Sequence, residues 1–205
     1  QNIKKDYLWN SLGSLLQSAI SPVLLIVITR LNGIDDSGLF SFAISLSVVF
    51  WAVSLWGGRT YQVSDVKREF SSGSYIAVRF VASLIVVIFA VVFCVLNGYN
   101  TTKTGLIMIL ITFKILESIA DSLYGVLQIH HKLYVAGISL TMKAMFGFTA
   151  FMAVDIVTKN VIYGTLAILL VNVLIILLYD VLWVRRVEAI TANKKLLKEY
   201  TGQAI

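Results

Sequence analysis

The stretch that decides the fold is MILITFKILESIADSLYG, residues 108–125, which has close to the length of a membrane span yet carries three charges. Lys114, Glu117 and Asp121 are spaced by three and four residues, so they share one face of an α-helix. A charged side chain at the centre of a bilayer costs about 2.5–3.5 kcal/mol on insertion scales. The face that carries these residues therefore has to meet other helices, water or a polar ligand.

The rest of the chain has the composition of a helical membrane protein. Of its 205 residues, 58% are hydrophobic and 14% are charged, and the apolar residues come in long runs that short polar segments separate. Helices suit such runs because they satisfy every backbone hydrogen bond within the segment, which lipid requires. No polar stretch is long enough for a soluble domain. The single cysteine, Cys94, lies in an apolar run and cannot form an intramolecular disulfide.

We predict an all-α, polytopic membrane protein with about six transmembrane helices, each near the length of about 20 residues that the bilayer core requires. The predicted spans are residues 9–29, 39–56, 75–96, 104–124, 133–154 and 161–183. Residues 1–184 are expected to form this six-helix lobe, and residues 185–205 a basic amphipathic cytoplasmic tail or linker. Because the connections are short, neighbouring helices are expected to be antiparallel.

Lysine and arginine are distributed unevenly between the two sets of span ends. One set has Lys4, Lys5, Arg59, Lys67, Arg68, Arg79, Lys132, Arg185, Arg186, Lys194, Lys195 and Lys198, and the other has only Arg30, Lys103 and Lys159. Cytoplasmic loops of membrane proteins are enriched in these residues. The bias predicts that both termini are cytoplasmic, and it accounts for the net charge of +6 without a nucleic-acid partner.

Charged residues inside the spans mark the candidate site. Lys114 is predicted near mid-membrane, and Lys143 lies at a similar depth in the next span with no acidic residue within one turn of its own helix. Lys143 therefore needs a partner on another helix, or water, and Glu117 is a candidate partner. Two lysines at one depth would repel each other in a dry core, so we favour a water-filled cavity that receives anions. A self-neutralised cluster that only locks helices together is the structural alternative.

The first span contributes a polar stripe. Asn10, Ser14, Gln17 and Ser21 follow helical spacing, and Pro22, directly after them, predicts a bend or a break. Such a stripe favours a cavity-lining helix, although close helix packing through small polar residues produces the same pattern.

Two arginines at span ends are weaker candidates for the site. Arg30 follows the first span and Arg59 follows the second, where anchoring at the membrane interface also explains them.

The sequence has no Gly-rich phosphate loop and no Cys/His spacing typical of a metal site. We therefore expect no cofactor and no metal.

The first half of the chain carries motifs that resemble a known family. In order, these are the asparagine and the glycine of the first span, Pro22, ITRLNG with DDSGLFSFA, Gly57-Gly58, Ser64-Asp65 and SSGSYIAVRF. Each motif is degenerate alone, and their order and spacing carry the match. The chain resembles bacterial polysaccharide biosynthesis membrane proteins, the Wzx-type oligosaccharide flippases of the multidrug/oligosaccharidyl-lipid/polysaccharide exporter superfamily.

The resemblance implies one lobe of a two-lobe exporter in the bacterial cytoplasmic (inner) membrane. A second lobe would lie in the same full-length chain or in a partner chain, and the two would give alternating access. The implied cargo is an undecaprenyl-diphosphate-linked oligosaccharide, moved from the cytoplasmic to the outer leaflet among membrane lipids. Lys114 and Lys143 would balance the pyrophosphate charge, and Glu117 and Asp121 would tune them. The residues expected to bond sugars or water are Gln17, Ser14 and Asn10.

Other functions stay open at this point. A drug or cation antiporter of the same superfamily would use Glu117 and Asp121 for its substrate, which the neighbouring lysines disfavour. A membrane enzyme acting on polyprenyl lipids would need clustered acidic or histidine groups, and the cytoplasmic set is Asp65, Glu69, His130 and His131. That set lacks a recognisable spacing, so we expect no enzyme activity. A noncatalytic scaffold would tolerate alanine at both mid-membrane lysines. A coupling H⁺ or Na⁺ at Glu117 is also open.

Overall fold

The computed structural model describes residues 3–55, 58–65, 67 and 69–188. All secondary structure in these ranges is helical, which confirms the all-α prediction. The helices are α1 (Ile3–Leu31), α2 (Ile34–Leu55), α3 (Gly58–Ser64), α4 (Ser72–Leu96), α5 (Thr101–Ile129), α6 (Leu133–Thr158) and α7 (Val161–Ile175), then a π-helical turn (Ile176–Asp180) and α8 (Val181–Val187). Of the tail predicted over residues 185–205, residues 189–205 lie outside the described residues.

Five helical stretches within the described ranges are long and apolar enough to cross a membrane: α1, α2, α4, α6 and the run from α7 through α8. The fourth predicted span corresponds to α5, which has the length, 29 residues, but carries Lys103, Lys114, Glu117 and Asp121. These stretches fit a multi-pass membrane protein. The number of six spans and the cytoplasmic side of the termini stay predictions.

The outer surface of α4 is the kind of surface that lipid solvates. Phe80, Leu84, Ile88, Phe89 and Val95 are 55–72% exposed on this helix. Water around so many large apolar side chains would be unfavourable, at about 25 cal/mol per Å² of apolar surface. A bilayer removes that cost without a protein partner.

The charged stretch lies on the central helix of the bundle. α5 packs against α2, α3, α4, α6 and α7, and 15 of its residues are buried. Its apolar side chains join two clusters, one with α2 and α4 and one with α6 and α8. The charged residues of α5 are therefore surrounded by other helices rather than by lipid. This placement avoids the high free-energy cost of a charged side chain in contact with the bilayer core.

α1 and α6 form a parallel pair with backbones in direct contact. A Cβ atom added at Gly137 would overlap the α1 backbone, and one added at Gly13 would lie 2.9 Å from Leu140 Cβ. Small residues allow such an approach between membrane helices. The contact extends along both helices, because Asp6 accepts a hydrogen bond from the Tyr134 backbone N–H at 2.9 Å near their first turns.

The break predicted at Pro22 does not occur. α1 runs through this residue as one helix of 29 residues. α6 contacts α1 at Gly13, before the proline, and Asp155 of α6 accepts a hydrogen bond from Asn32, directly after α1. Such support lets membrane helices accommodate proline without interruption.

The two ends of the bundle differ in their connections. At one end lie the start of α1, α3, the start of α4, the α5–α6 turn and α8; we call this the basic end. At the other, the opposite end, the turns are short. There Asn100 caps α5 by accepting from Lys103 N–H at 2.8 Å, and Asn160 caps α7 by accepting from Ile162 N–H at 2.9 Å.

Candidate functional site

A cavity of about 320 Å³ lies within the bundle, between α1, α2, α3, α5 and α6. We call it the central cavity. Its volume is in the range of small-molecule sites. The residues that line it are Gln17, Ser18, Ser21, Trp51, Arg59, Lys114, Glu117, Ala120, Asp121, Tyr124, Leu140 and Lys143. Six of the nine residues predicted for the site are therefore brought together, namely Gln17, Arg59, Lys114, Glu117, Asp121 and Lys143.

Lys114 and Glu117 form an ion pair on the cavity wall. Lys114 Nζ lies 2.7 Å from Glu117 Oε2, and Gln17 Nε2 donates a hydrogen bond to Glu117 Oε1. The ammonium group is also 5.4 Å from the ring centroid of Trp51, a distance at which the ring face attracts a cation. The two charged side chains are 14% and 13% exposed. The pair on α5 is thus contacted by side chains of α1 and α2, and both of its members line the central cavity.

Lys143 is paired more deeply than Lys114. Its Nζ donates to Asp180 Oδ2 at 2.6 Å and to the Tyr124 hydroxyl at 2.7 Å, and that hydroxyl lies 2.9 Å from Ser139 Oγ. The side chains of Lys143 and Asp180 are 2% and 0% exposed.

Lys143 has the partner on another helix that the sequence required, but this partner is not the candidate Glu117. The partner, Asp180, is the last residue of the π-helical turn, and such turns change the phase of a helix and recur at functional sites. Sequence reasoning missed this residue. Its signal was a single acidic residue within the last apolar run, in the stretch LLYDVLW, which required a basic partner on another helix.

Asp121 is shared by two arginines at the basic end of the cavity. Arg59 Nη1 lies 3.0 Å from Asp121 Oδ1, and Arg79 Nη2 lies 3.5 Å from Asp121 Oδ2. Arg59 also donates from Nη2 to Gln128 Oε1 at 2.9 Å, whereas Arg79 donates to the Ser54 carbonyl at 2.8 Å at the end of α2. The Arg59 side chain is 28% exposed and that of Arg79 is 4% exposed. Arg59 is therefore the accessible member, and Arg79 is the buried one that ties α4 to α2.

Three predicted site residues do not line the central cavity. Asn10 lies in the contact between α1 and α6, where its backbone faces Gly137. Ser14 is exposed and its carbonyl accepts from Ser18 Oγ at 2.8 Å. Arg30 is exposed at the opposite end. Helical spacing identified a polar face of α1, but which neighbour covers each turn of that face depends on the packing of α6.

The polar residues considered for a polyprenyl-lipid enzyme have local structural partners. The Asp65 carboxylate accepts from the backbone N–H groups of Glu69 and Phe70 at 3.1 and 3.2 Å and from the Tyr75 hydroxyl at 2.9 Å. His130 Nε2 lies 2.8 Å from Glu188 Oε2. Among the described residues, no group of three or more His, Cys, Asp or Glu is placed to hold a metal ion.

Comparison with known proteins finds a similarity to the capsular polysaccharide biosynthesis protein CapF of Staphylococcus aureus. The two are 27% identical over 137 residues, which is 66% of this chain and 33% of that protein. The match thus spans about a third of the length of the relative. No family model matches the chain. No solved structure matches it.

Proposed function

We propose that the chain is the N-terminal lobe of a flippase that moves an undecaprenyl-diphosphate-linked oligosaccharide from the cytoplasmic to the outer leaflet of the bacterial cytoplasmic membrane. The similarity to CapF supports a role in polysaccharide biosynthesis, and the five apolar helical stretches support a multi-pass membrane protein. The headgroup would occupy the central cavity while the polyprenyl tail stays in the bilayer. A second lobe, in the same full-length chain or in a partner chain, would close the cavity, and the reaction is transport without covalent change.

The observation that carries the proposal is the sharing of Asp121 by Arg59 and Arg79. An anionic group that takes the place of Asp121 at Arg59 leaves the carboxylate still paired, because Arg79 holds its other oxygen at 3.5 Å. Arg59 is also the most exposed of the three cations on the cavity wall, and its planar guanidinium suits a phosphate oxygen pair. Arg59 is therefore proposed as the first contact of the diphosphate.

The two lysines follow Arg59 in this proposal. At Lys114, an incoming anion would separate Glu117 from its cation and leave that carboxylate with the Gln17 amide alone. At Lys143, the anion would have to displace Asp180 from a site that is closed to solvent. Both steps cost more than the exchange at Arg59, since a partly buried charge without a partner is unfavourable. Lys114 then engages the headgroup only after Glu117 turns away, and Lys143 holds the bundle together in this conformation.

The test is the leaflet distribution of lipid-linked oligosaccharide in cells that lack the full-length gene. We expect accumulation on the cytoplasmic leaflet, relieved by the wild-type gene and not by Arg59→Gln. The matched control is Arg185→Gln, which removes an exposed arginine outside the cavity and should restore transport. A normal distribution and intact surface glycan in the cells without the gene would remove the flippase proposal and favour the antiporter.

A binding measurement tests the exchange at Arg59 separately. In the purified full-length protein, Asp121→Asn removes the carboxylate that competes for Arg59, so inorganic pyrophosphate should bind about tenfold more tightly, or about 1.4 kcal/mol. Arg59→Gln should weaken binding by a similar factor. Equal affinities in wild type and Asp121→Asn would show that the anion does not replace this carboxylate.

A further inference from the structure

A cluster of aromatic and basic side chains lies at the basic end of the bundle, where α8 meets the turn between α5 and α6. The Lys132 ammonium lies 5.6 Å from the ring centroid of Trp183, and the Arg186 guanidinium lies 5.4 Å from the same centroid. The ring of Tyr179 is tilted against that of Trp183, with 6.3 Å between the two centroids. We call Lys132, Tyr179, Trp183 and Arg186 the indole cluster. Two cations from different elements thus converge on one indole ring, whose face attracts each of them.

The two positive charges of the indole cluster have no ion-pair partner among the described residues. The ion pairs within those ranges include neither Lys132 nor Arg186. Two carboxylates of the same end are engaged elsewhere: Asp6 accepts a hydrogen bond from a backbone N–H of α6 at 2.9 Å, and Glu188 Oε2 lies 2.8 Å from His130 Nε2. An aromatic face attracts a cation without cancelling its charge. Two like charges beside one ring therefore favour an anion that contacts both.

The surface next to the indole cluster is apolar and open. Leu178 and Leu182 are 67% and 45% exposed, and Leu182 and Arg186 are four residues apart on α8, so they share one face of that helix. Trp183 is half-buried near the end of the apolar run Val161–Val187, and tryptophan is enriched where such runs reach the membrane–water interface. Cations at this depth beside an exposed apolar face fit a molecule that has an anionic head and apolar chains.

We propose that the indole cluster is a binding site for an anionic phospholipid. Its phosphate lies between Lys132, which is half-buried, and Arg186, which is exposed, and one acyl chain lies along Leu178 and Leu182. The planar guanidinium of Arg186 suits a pair of phosphate oxygens, and basic pockets between membrane helices bind such headgroups. The bound lipid links α8 to the turn that precedes α6. The proposal does not depend on what the central cavity binds.

Native mass spectrometry of the purified full-length protein with added phosphatidylglycerol tests the proposal. The wild type should bind this lipid more tightly than phosphatidylcholine, whose headgroup has a cation of its own. Lys132→Gln with Arg186→Gln should weaken phosphatidylglycerol binding about tenfold, since two cations near the phosphate are lost. The matched control, Lys4→Gln with Lys67→Gln, removes the same charge from exposed lysines at the same end and should leave the affinity unchanged. Equal losses in the two double variants would overturn the proposal, because the lipid would then respond to the charge of the whole basic end.

A further variant tests the role of the ring. Trp183→Leu keeps an apolar side chain and both cations but removes the indole that positions them, so phosphatidylglycerol should bind more weakly. An unchanged affinity contradicts the indole cluster as the site. Elution as a folded protein in size-exclusion chromatography is required of each variant, and if the double variant aggregates, Arg186→Gln alone should still weaken binding about threefold.

Two competitors distinguish a phospholipid from other sources of phosphate. Inorganic phosphate should not displace phosphatidylglycerol, because it has no apolar chain to lie along Leu178 and Leu182. Displacement by inorganic phosphate would overturn the assignment to a lipid, and displacement by an equal concentration of undecaprenyl diphosphate would assign the cluster to polyprenyl lipids instead. Because no transport is measured, these outcomes are separate from those of the flippase test.

Discussion

Replacement of Lys143 by methionine should destabilise the bundle far more than the same replacement at Lys114. Lys143→Met keeps the length of the side chain but leaves Asp180, which is 0% exposed, without its cation. Lys114→Met leaves Glu117 with the Gln17 hydrogen bond and with access to the cavity. Both variants therefore remove an ammonium group. Lys143→Met removes it from an ion pair that is buried from solvent, and Lys114→Met removes it from an ion pair on the wall of the central cavity.

The magnitude follows from the geometry of the Lys143–Asp180 pair. At 2.6 Å and an effective dielectric constant of about 20, the attraction between the two charges is roughly 6 kcal/mol. The Tyr124 hydroxyl, 3.5 Å from Asp180 Oδ2, compensates only in part, so we expect a loss of about 3–5 kcal/mol in the free energy of unfolding. For Lys114→Met we expect a loss of about 1–2 kcal/mol, between the values for exposed and buried pairs.

The assay is reversible unfolding of the full-length protein in mixed detergent micelles, with the free energy of unfolding measured for each variant. The double variant Lys143→Met with Asp180→Asn leaves no unpaired charge and should recover most of the loss from Lys143→Met alone. The reasoning is refuted if Lys143→Met lowers the free energy of unfolding by less than about 1 kcal/mol and the effects of Lys143→Met and Asp180→Asn, each measured alone, simply add in the double variant.

Two further predictions concern packing and water. Gly137→Ala should lower the free energy of unfolding by about 1–3 kcal/mol, because its Cβ overlaps the α1 backbone. The control Gly105→Ala, with no atom within 4 Å of its Cβ, should be neutral or slightly stabilising. Equal effects of the two variants on the free energy of unfolding would contradict the close α1–α6 contact. On a Cys94→Ala background, Ser21→Cys in the cavity should react with a small water-soluble thiol reagent. Leu84→Cys, 63% exposed in the wild type on the apolar face of α4, should not react in membranes, and a reversed order would show that the cavity is dry.

The general architecture could be predicted from the sequence because it depends on local patterns. Long apolar runs separated by short polar segments predicted helices, and the predicted spans at residues 133–154 and 161–183 begin where α6 and α7 begin. The shared face of Lys114, Glu117 and Asp121 also followed from helical spacing, and all three line the central cavity. Spacing within one helix is sufficient for such conclusions.

The pairing of charges between helices could not be predicted in the same way. Lys143 and Asp180 are 37 residues apart, and the side to which Asp180 points depends on a π-helical turn that has no clear sequence signal. Asn32 and Asp155 are 123 residues apart, and their contact requires α1 and α6 to be parallel neighbours. Arg59 looked like an interface anchor because it follows a span, yet α3 places it at the cavity.

The separation between Lys143 and Asp180 also has a consequence for biosynthesis. A lysine on α6 is synthesised 37 residues before the carboxylate that neutralises it, so its charge lacks that partner until the segment of the π-helical turn has been made. Lys114 has no such delay, because Glu117 lies three residues away on the same helix. A nascent chain that stops before Asp180 would therefore hold the ammonium group of Lys143 without the carboxylate that neutralises it, which is unfavourable inside a membrane.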